Sequence, residues 1–232
     1  MFKQFRVAAT GMSAMEKDLI TITDNVSNVK TTAFKKARVE FENLFPEILN
    51  EALADTEATK NTQRLEFGSG VRVVGTPRDF SSGTIEVTNN PLDIAIQGEG
   101  FLQLRQQDGS IAYTRAGNLH KDNEGRVTDV NGNFLEPAIT LPQDTTGVII
   151  TTDGTVLVQE NNQTTQRQIG QLSLVRFINP AGLTSEGGNL YKGTVSSGEP
   201  IEGIPGENGF GGIAQFSLES SNVDVVQEMM RM

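Results

Sequence analysis

Phe5, Ala8, Met12, Met15, Leu19, Ile22, Val26 and Val29 follow one another at alternating steps of three and four residues. This spacing places every apolar side chain on one narrow stripe of an α-helix. At about 1.5 Å per residue the predicted helix is about 40 Å long. The opposite face carries Lys3, Gln4, Arg6, Thr10, Ser13, Glu16, Lys17, Thr21 and Asp24. A helix lying on the core of its own chain ordinarily carries a wider stripe than two positions in seven, so the spacing favours a helix–helix seam over ordinary core packing. Gly11 costs about 1 kcal/mol against alanine in a helix interior, a cost tolerated where a partner backbone comes close. Val223, Val226 and Met230 repeat the step near the C-terminus, with Ser221 and Asn222 as predicted N-caps. That piece is too short to be stable by itself in water and reads as the start of a second helix.

Between the ends the period changes to two. VRVVG, GTIEVT, DIAIQG, GFLQLR, GVIITT, TVLVQ and QLSLVRF alternate or run apolar and are bounded by turn residues. Asp108-Gly109, Asn131-Gly132 and Asp153-Gly154 predict type I′ hairpins, in which both central residues take positive φ. All eight prolines lie between Pro46 and Pro205, and Gly11 alone among the 24 glycines precedes Gly68. The fold class is therefore α+β and mainly β, an antiparallel β domain inserted between N- and C-terminal coiled-coil-like helices. Residues 1–30 are the N-terminal assembly helix, 31–70 a connecting segment, 71–216 the β-rich domain and 217–232 the start of the C-terminal helix. Glu51 to Gln63 is polar and reads as a linker or a loop that orders on assembly.

Charge and composition narrow the chemistry. Nineteen Lys and Arg against 29 Asp and Glu give a net charge of −10, which speaks against nucleic acid as a partner. There is no cysteine and one histidine, which removes thiolate chemistry, disulfides and Cys- or His-rich metal sites. No apolar run approaches the roughly 20 residues of a membrane helix, so no direct membrane insertion is expected, and the N-terminus lacks the apolar core of a Sec signal. His120 precedes a turn and has no neighbouring triad partners. Asp122, Glu124 and Asp129 lack the calcium-loop register. Gly98 and Gly100 are followed by no helical pattern that would make a phosphate site. Asn162-Gln163-Thr164 matches a glycosylation acceptor only in a secreted chain. The composition points to no catalytic set, no cofactor and no metal. Lys30, Lys35, Lys36 and Arg38, the one dense basic cluster, read as a solvated face or a subunit contact.

Several spaced motifs together resemble the axial proteins of the bacterial flagellum, the rod and hook subunits. Asp24 to Lys35 (DNVSNVKTTAFK) is similar to the family's N-terminal rod motif through Asn25, Asn28, Thr32, Phe34 and Lys35, with Ala33 where glycine is usual. Ala95 to Phe101, Tyr113 to Asn118, Gly182-Leu183 with Gly188 to Tyr191, Pro205 to Gly209, and Ser221 to Val225 resemble further family signatures. The likeness spans nearly the whole chain and is closest to the distal-rod members. It implies a non-enzymatic structural subunit that self-assembles into a helical tubular drive shaft and transmits torque to the hook. Implied partners are further copies of itself, proximal-rod and hook subunits, the bushing rings around the rod and the flagellar export apparatus. The implied place is the basal body, with the rod in the periplasm, reached without a Sec signal. Family members normally continue further through a long C-terminal helix, and rod members carry a segment near residues 45–65 that hook members often lack. A proximal-rod or hook subunit, a peptidoglycan-acting enzyme built on paired carboxylates, and a non-polymerising β-rich adaptor are the alternatives. Elongation of particles at high concentration separates the first class from the last two.

Overall fold

The periodic N-terminal segment forms helix α1, Phe2–Ser27, in a computed structural model that describes residues 2–48, 66–160 and 166–232. The polar stretch Glu51 to Gln63 and the Asn162 acceptor lie outside the described residues. α1 ends where Asn28 closes it: the Asn28 side chain donates to the Asp24 carbonyl at 2.9 Å and accepts from the Thr31 hydroxyl at 3.2 Å. The chain then reverses through Ala33, which holds the left-handed φ of 55° while nearly fully buried. Glycine takes this conformation without the roughly 1–2 kcal/mol cost a Cβ brings.

α1 touches a two-stranded antiparallel ladder of Glu40–Asn43 and Val71–Gly75, and also the C-terminal helix α2, Val225–Arg231. The helix predicted from residue 217 starts later. Ser217–Glu219 is a strand paired with Ile85–Val87. The cap is Asp224, whose carboxylate accepts the Val226 and Gln227 amides at 2.9 and 3.3 Å, not Ser221 or Asn222. Ser221 accepts the Val223 amide in the extended approach, and Asn222 is engaged elsewhere in the fold.

The middle of the chain is antiparallel throughout its described pairings. Its largest sheet has seven strands in the order Thr184–Gly187, Leu190–Lys192, Ile111–Thr114, Leu102–Arg105, Phe134–Glu136, Val127–Thr128 and His120–Lys121. A three-stranded meander, Thr145–Ile150, Thr155–Glu160 and Gln166–Gln171, and short ladders such as Ile94–Gln97 with Gly212–Gln215 complete it. One core joins Ile94, Ile96, Leu102, Leu104, Leu135, Val158 and Leu174. A second, aromatic core stacks Phe80, Phe101, Tyr113, Phe177 and Tyr191 edge to face, with Tyr113 and Phe177 centroids 4.8 Å apart.

The three hairpins expected to be type I′ are built differently. Gly109, Gly132 and Gly154 take positive φ, but the Asp or Asn before each does not. In each, the glycine amide donates three residues back, to Gln106, Asp129 and Thr151, and those residues' amides donate forward to Ser110, Asn133 and Thr155. This is the three-residue loop with glycine at the bulge. The acidic side chains turn inward onto the loop instead, Asp129 Oδ1 accepting the Asn131 and Asn133 amides at 2.8 and 2.9 Å. One left-handed glycine then suffices.

Candidate assembly site

Two faces of α1 do different things. The side turned to its own chain runs through Ala14, Ile22 and Asn25, all buried, with Thr10 beside Gly70. The heptad stripe lies next to that side. Phe5, Ala8, Met12, Met15 and Leu19 are exposed, Met12 at 69%. Ile22 is 1% exposed and Val26 and Val29 are half-buried. Near the C-terminus Val223 is buried, while Val226 and Met230 are exposed. The predicted residues thus divide: the lower stripe closes within the chain, and the upper stripe is left exposed among the described residues. Between this upper stripe and the ladder lies an apolar groove of ≈ 900 Å³, lined by Ala8, Gly11, Met12, Met15, Leu19, Ile20, Phe41 and Val71. A Cβ added at Gly11 meets nothing within 4 Å. The close approach anticipated there has no counterpart among the described residues.

At the root of α1 the motif residues meet. Asn25 pairs with the Ala37 backbone in both directions, donating to its carbonyl at 2.8 Å and accepting its amide at 3.0 Å. Asn25 also reaches Glu228 of α2 at 3.4 Å. The Thr32 carbonyl accepts from the Asn189 side chain at 2.8 Å, and Phe34 is buried beneath the Arg78 guanidinium. Asn222 accepts the Lys36 amide at 2.8 Å and donates to the Asp79 carbonyl at 2.8 Å.

The centre of the joint is ionic. Lys35 Nζ lies 2.6 Å from Glu219 Oε1, and Arg115 Nε lies 2.9 Å from Glu219 Oε2; the three side chains are 0%, 1% and 3% exposed. Lys35 also donates to the Ser81 carbonyl at 2.6 Å, and the Gly83 amide donates to Glu219 at 2.9 Å. The Arg115 guanidinium donates further to the carbonyls of Gly98 and Gly100 at 2.9 and 3.1 Å, which joins two of the β-domain signatures. The sequence motifs contain Lys35 and Arg115 separately, but nothing in them pairs the two, and Glu219 lies outside every motif. Lys35 and Glu219 stand 184 positions apart, so no local spacing announces the pair.

Burial alone would raise the Glu219 carboxyl, but Arg115 and then Lys35 outweigh it and hold it below its ordinary 4.5. Burial, with help from the Arg115 charge, draws the Lys35 ammonium below its ordinary range against the pull of Glu219. A depressed folded value means that the carboxylate's contribution to stability is complete above about pH 4.5 and fades as the pH falls through the folded value. Removing one partner of a buried pair costs roughly 3 kcal/mol. Glu219→Gln should therefore lower the urea midpoint clearly near neutral pH, with the gap between the two proteins narrowing as the pH falls below about 4.5. A separation that stays constant across that range would show that Glu219 is not held as a carboxylate.

The other acidic groups weighed from the sequence serve the loops. Asp122 and Glu124 each lie 3.1 Å from Arg126, Asp129 holds its own turn, and His120 is exposed on a sheet edge. A cleft of ≈ 890 Å³ beside the joint is lined by Arg38, Arg78, Arg115 and Arg176. Each of these cations is already engaged, by Glu40, the Lys35 carbonyl, Glu219 and Glu99 respectively.

Comparison with known proteins gives these features relatives. The family described as flagellar hook protein FlgE/F/G D1 domain matches residues 95–158, the stretch that contains Arg115. The chain is 39% identical to the flagellar basal-body rod protein FlgG of Borreliella burgdorferi, over 100% of this chain and 89% of that protein. Identity to FlgG of Caulobacter vibrioides is 36%, over 97% of this chain and 86% of the relative. Identity to FlgG of Bacillus subtilis is 32%, over 100% and 89%.

Proposed function

This chain belongs to the FlgG family of flagellar basal-body rod proteins and is a structural subunit of the distal rod, and from that premise we propose that the exposed stripe of α1 is the surface by which copies join. The observation that carries the reading is the mismatch on α1: Phe5, Met12, Met15 and Leu19 keep a helix-pairing spacing, yet among the described residues none buries them, and all four stay exposed. Leaving such side chains in water forgoes roughly 1.5–3 kcal/mol each, a free energy that the stripe of a neighbouring copy recovers. Contacts of this head-to-tail kind, when they do not close into a ring, generate a helical filament. The role is then mechanical and not catalytic. Helices of many copies form the inner tube, and the β parts stiffen it from outside so that torque reaches the hook. Proximal-rod and hook subunits, the surrounding rings and the export apparatus are the further partners of this reading, with the rod lying in the periplasm after Sec-independent export.

The test is concentration dependence. The purified chain should elongate into rods visible by electron microscopy as its concentration rises. A folded chain that stays monomeric at every concentration would count against self-docking through α1.

A further inference from the structure

We propose that Glu219 is a latch that makes the ordering of the α1 root conditional on the docking of the C-terminal strand. Three separate parts of the chain contribute one charge each. Lys35 belongs to the segment just after α1, Arg115 to the seven-stranded sheet's margin, and Glu219 to the strand that precedes α2. What each cation keeps when the carboxylate is taken away differs. Arg115 retains the carbonyls of Gly98 and Gly100, at 2.9 and 3.1 Å. Lys35, fully buried, retains only the Ser81 carbonyl as a hydrogen-bond partner among those described, with the weaker attraction of Asp79. A buried cation without its counter-ion is strongly unfavourable, so the part that gives way is the one that carries Lys35.

That part holds α1 in place. The Ala33 amide donates to the Glu219 carbonyl at 2.8 Å, the Lys36 amide is bound by Asn222 three residues beyond Glu219, and the Ala37 backbone is bound by Asn25 of α1. The order of contacts runs from the C-terminal strand through residues 33–37 to the helix. With the strand undocked, Lys35 loses the carboxylate it is paired with, residues 33–37 lose their seat and α1 loses its fixed direction. The exposed stripe is therefore presented in one orientation only once both ends of the chain have folded together. The use of this coupling in assembly rests on the reading of α1 given above; the coupling itself does not.

Amide hydrogen exchange on the full chain tests it, with the wild type, Glu219→Gln, Lys35→Met and the double variant compared. In Glu219→Gln the amides of Ala33, Lys36, Ala37 and the last two turns of α1 should lose protection about tenfold or more, while those of Leu104, Val156 and Val158 keep theirs. In the double variant, where the stranded cation is gone, root protection should return toward the wild-type level. Unchanged root amides in Glu219→Gln, an equal loss across the far sheets, or a double variant no better than Glu219→Gln would each overturn the latch. None of these results bears on whether the α1 stripe docks a second copy, since that is read by assembly of a folded chain.

Discussion

Gly117→Ala is expected to prevent the β part from folding at physiological temperature, with a loss of about 4 kcal/mol or more. Gly117 lies inside the Tyr113 to Asn118 signature. A Cβ built there would sit 2.7 Å from the Ile94 carbonyl carbon and 2.9 Å from its Cγ1, with the carbonyl oxygen closer still. The obstacle is backbone, and that backbone is fixed from both sides: the Ile94 amide donates to the Gly117 carbonyl at 3.0 Å, and Ile94 pairs with Gln215 across its ladder. The Ile94 strand cannot retreat without breaking its ladder and opening the core around Ile94. Gly109→Ala is the matched control. Gly109 has a φ of 84° but open space around it, so only left-handed strain applies, about 1 kcal/mol. Thermal unfolding of the two variants should differ severalfold in shift. Equal shifts would mean that the close approach at Gly117 is not a constraint on the fold.

The elements with a period were legible from the residues. The three–four spacing located α1 to within a few positions, and the Gly-containing dipeptides located three hairpins. Their geometry was another matter, because one left-handed glycine in a three-residue loop satisfies the same dipeptide as two left-handed residues in a two-residue loop. The late start of α2 has a similar cause. Ser217 to Glu219 has no helical or strand period strong enough to decide its state, and its pairing with Ile85–Val87 lies over a hundred residues away. The stripe on α1 was visible, but not that the chain would bury the neighbouring face through Ala14 and Asn25 and leave Met12, Met15 and Leu19 in water. The ionic joint was invisible for the plainest reason. Lys35, Arg115 and Glu219 are ordinary charged residues until the topology places them together, and a hydrophilic residue in a sequence is read as solvated. The motif spacing recorded their neighbourhoods without the contact. Once the contact is seen, the scattered signatures have one physical explanation: Asn25, Lys35, Gly98, Gly100, Arg115, Asn189 and Asn222 are parts of a single junction between the helix and the sheets.

Met15→Asp and Leu19→Asp are expected to leave the monomer folded and to abolish its incorporation into rods. Both side chains are exposed, so in the isolated chain the substitutions change a solvated surface, where effects stay within about 0.5 kcal/mol. In an assembly whose neighbours cover the stripe, each aspartate becomes a buried charge without a partner, at a cost of several kcal/mol per contact, repeated at every subunit along the tube. Ile22→Asp, equally natural to choose from the spacing, is not a clean probe: Ile22 is buried within its own chain, so the variant would lose folding before assembly could be read. Gly11 supplies a finer test. With nothing within 4 Å, Gly11→Leu should stabilise α1 in the monomer by up to about 1 kcal/mol through helix propensity, yet weaken assembly if a second backbone passes close to that position. Circular dichroism of the purified variants and electron microscopy of the structures they form separate the two effects. Rods of normal length from Met15→Asp and Leu19→Asp chains would show that the stripe faces water in the assembled state as well. The joining surface would then have to be sought away from α1.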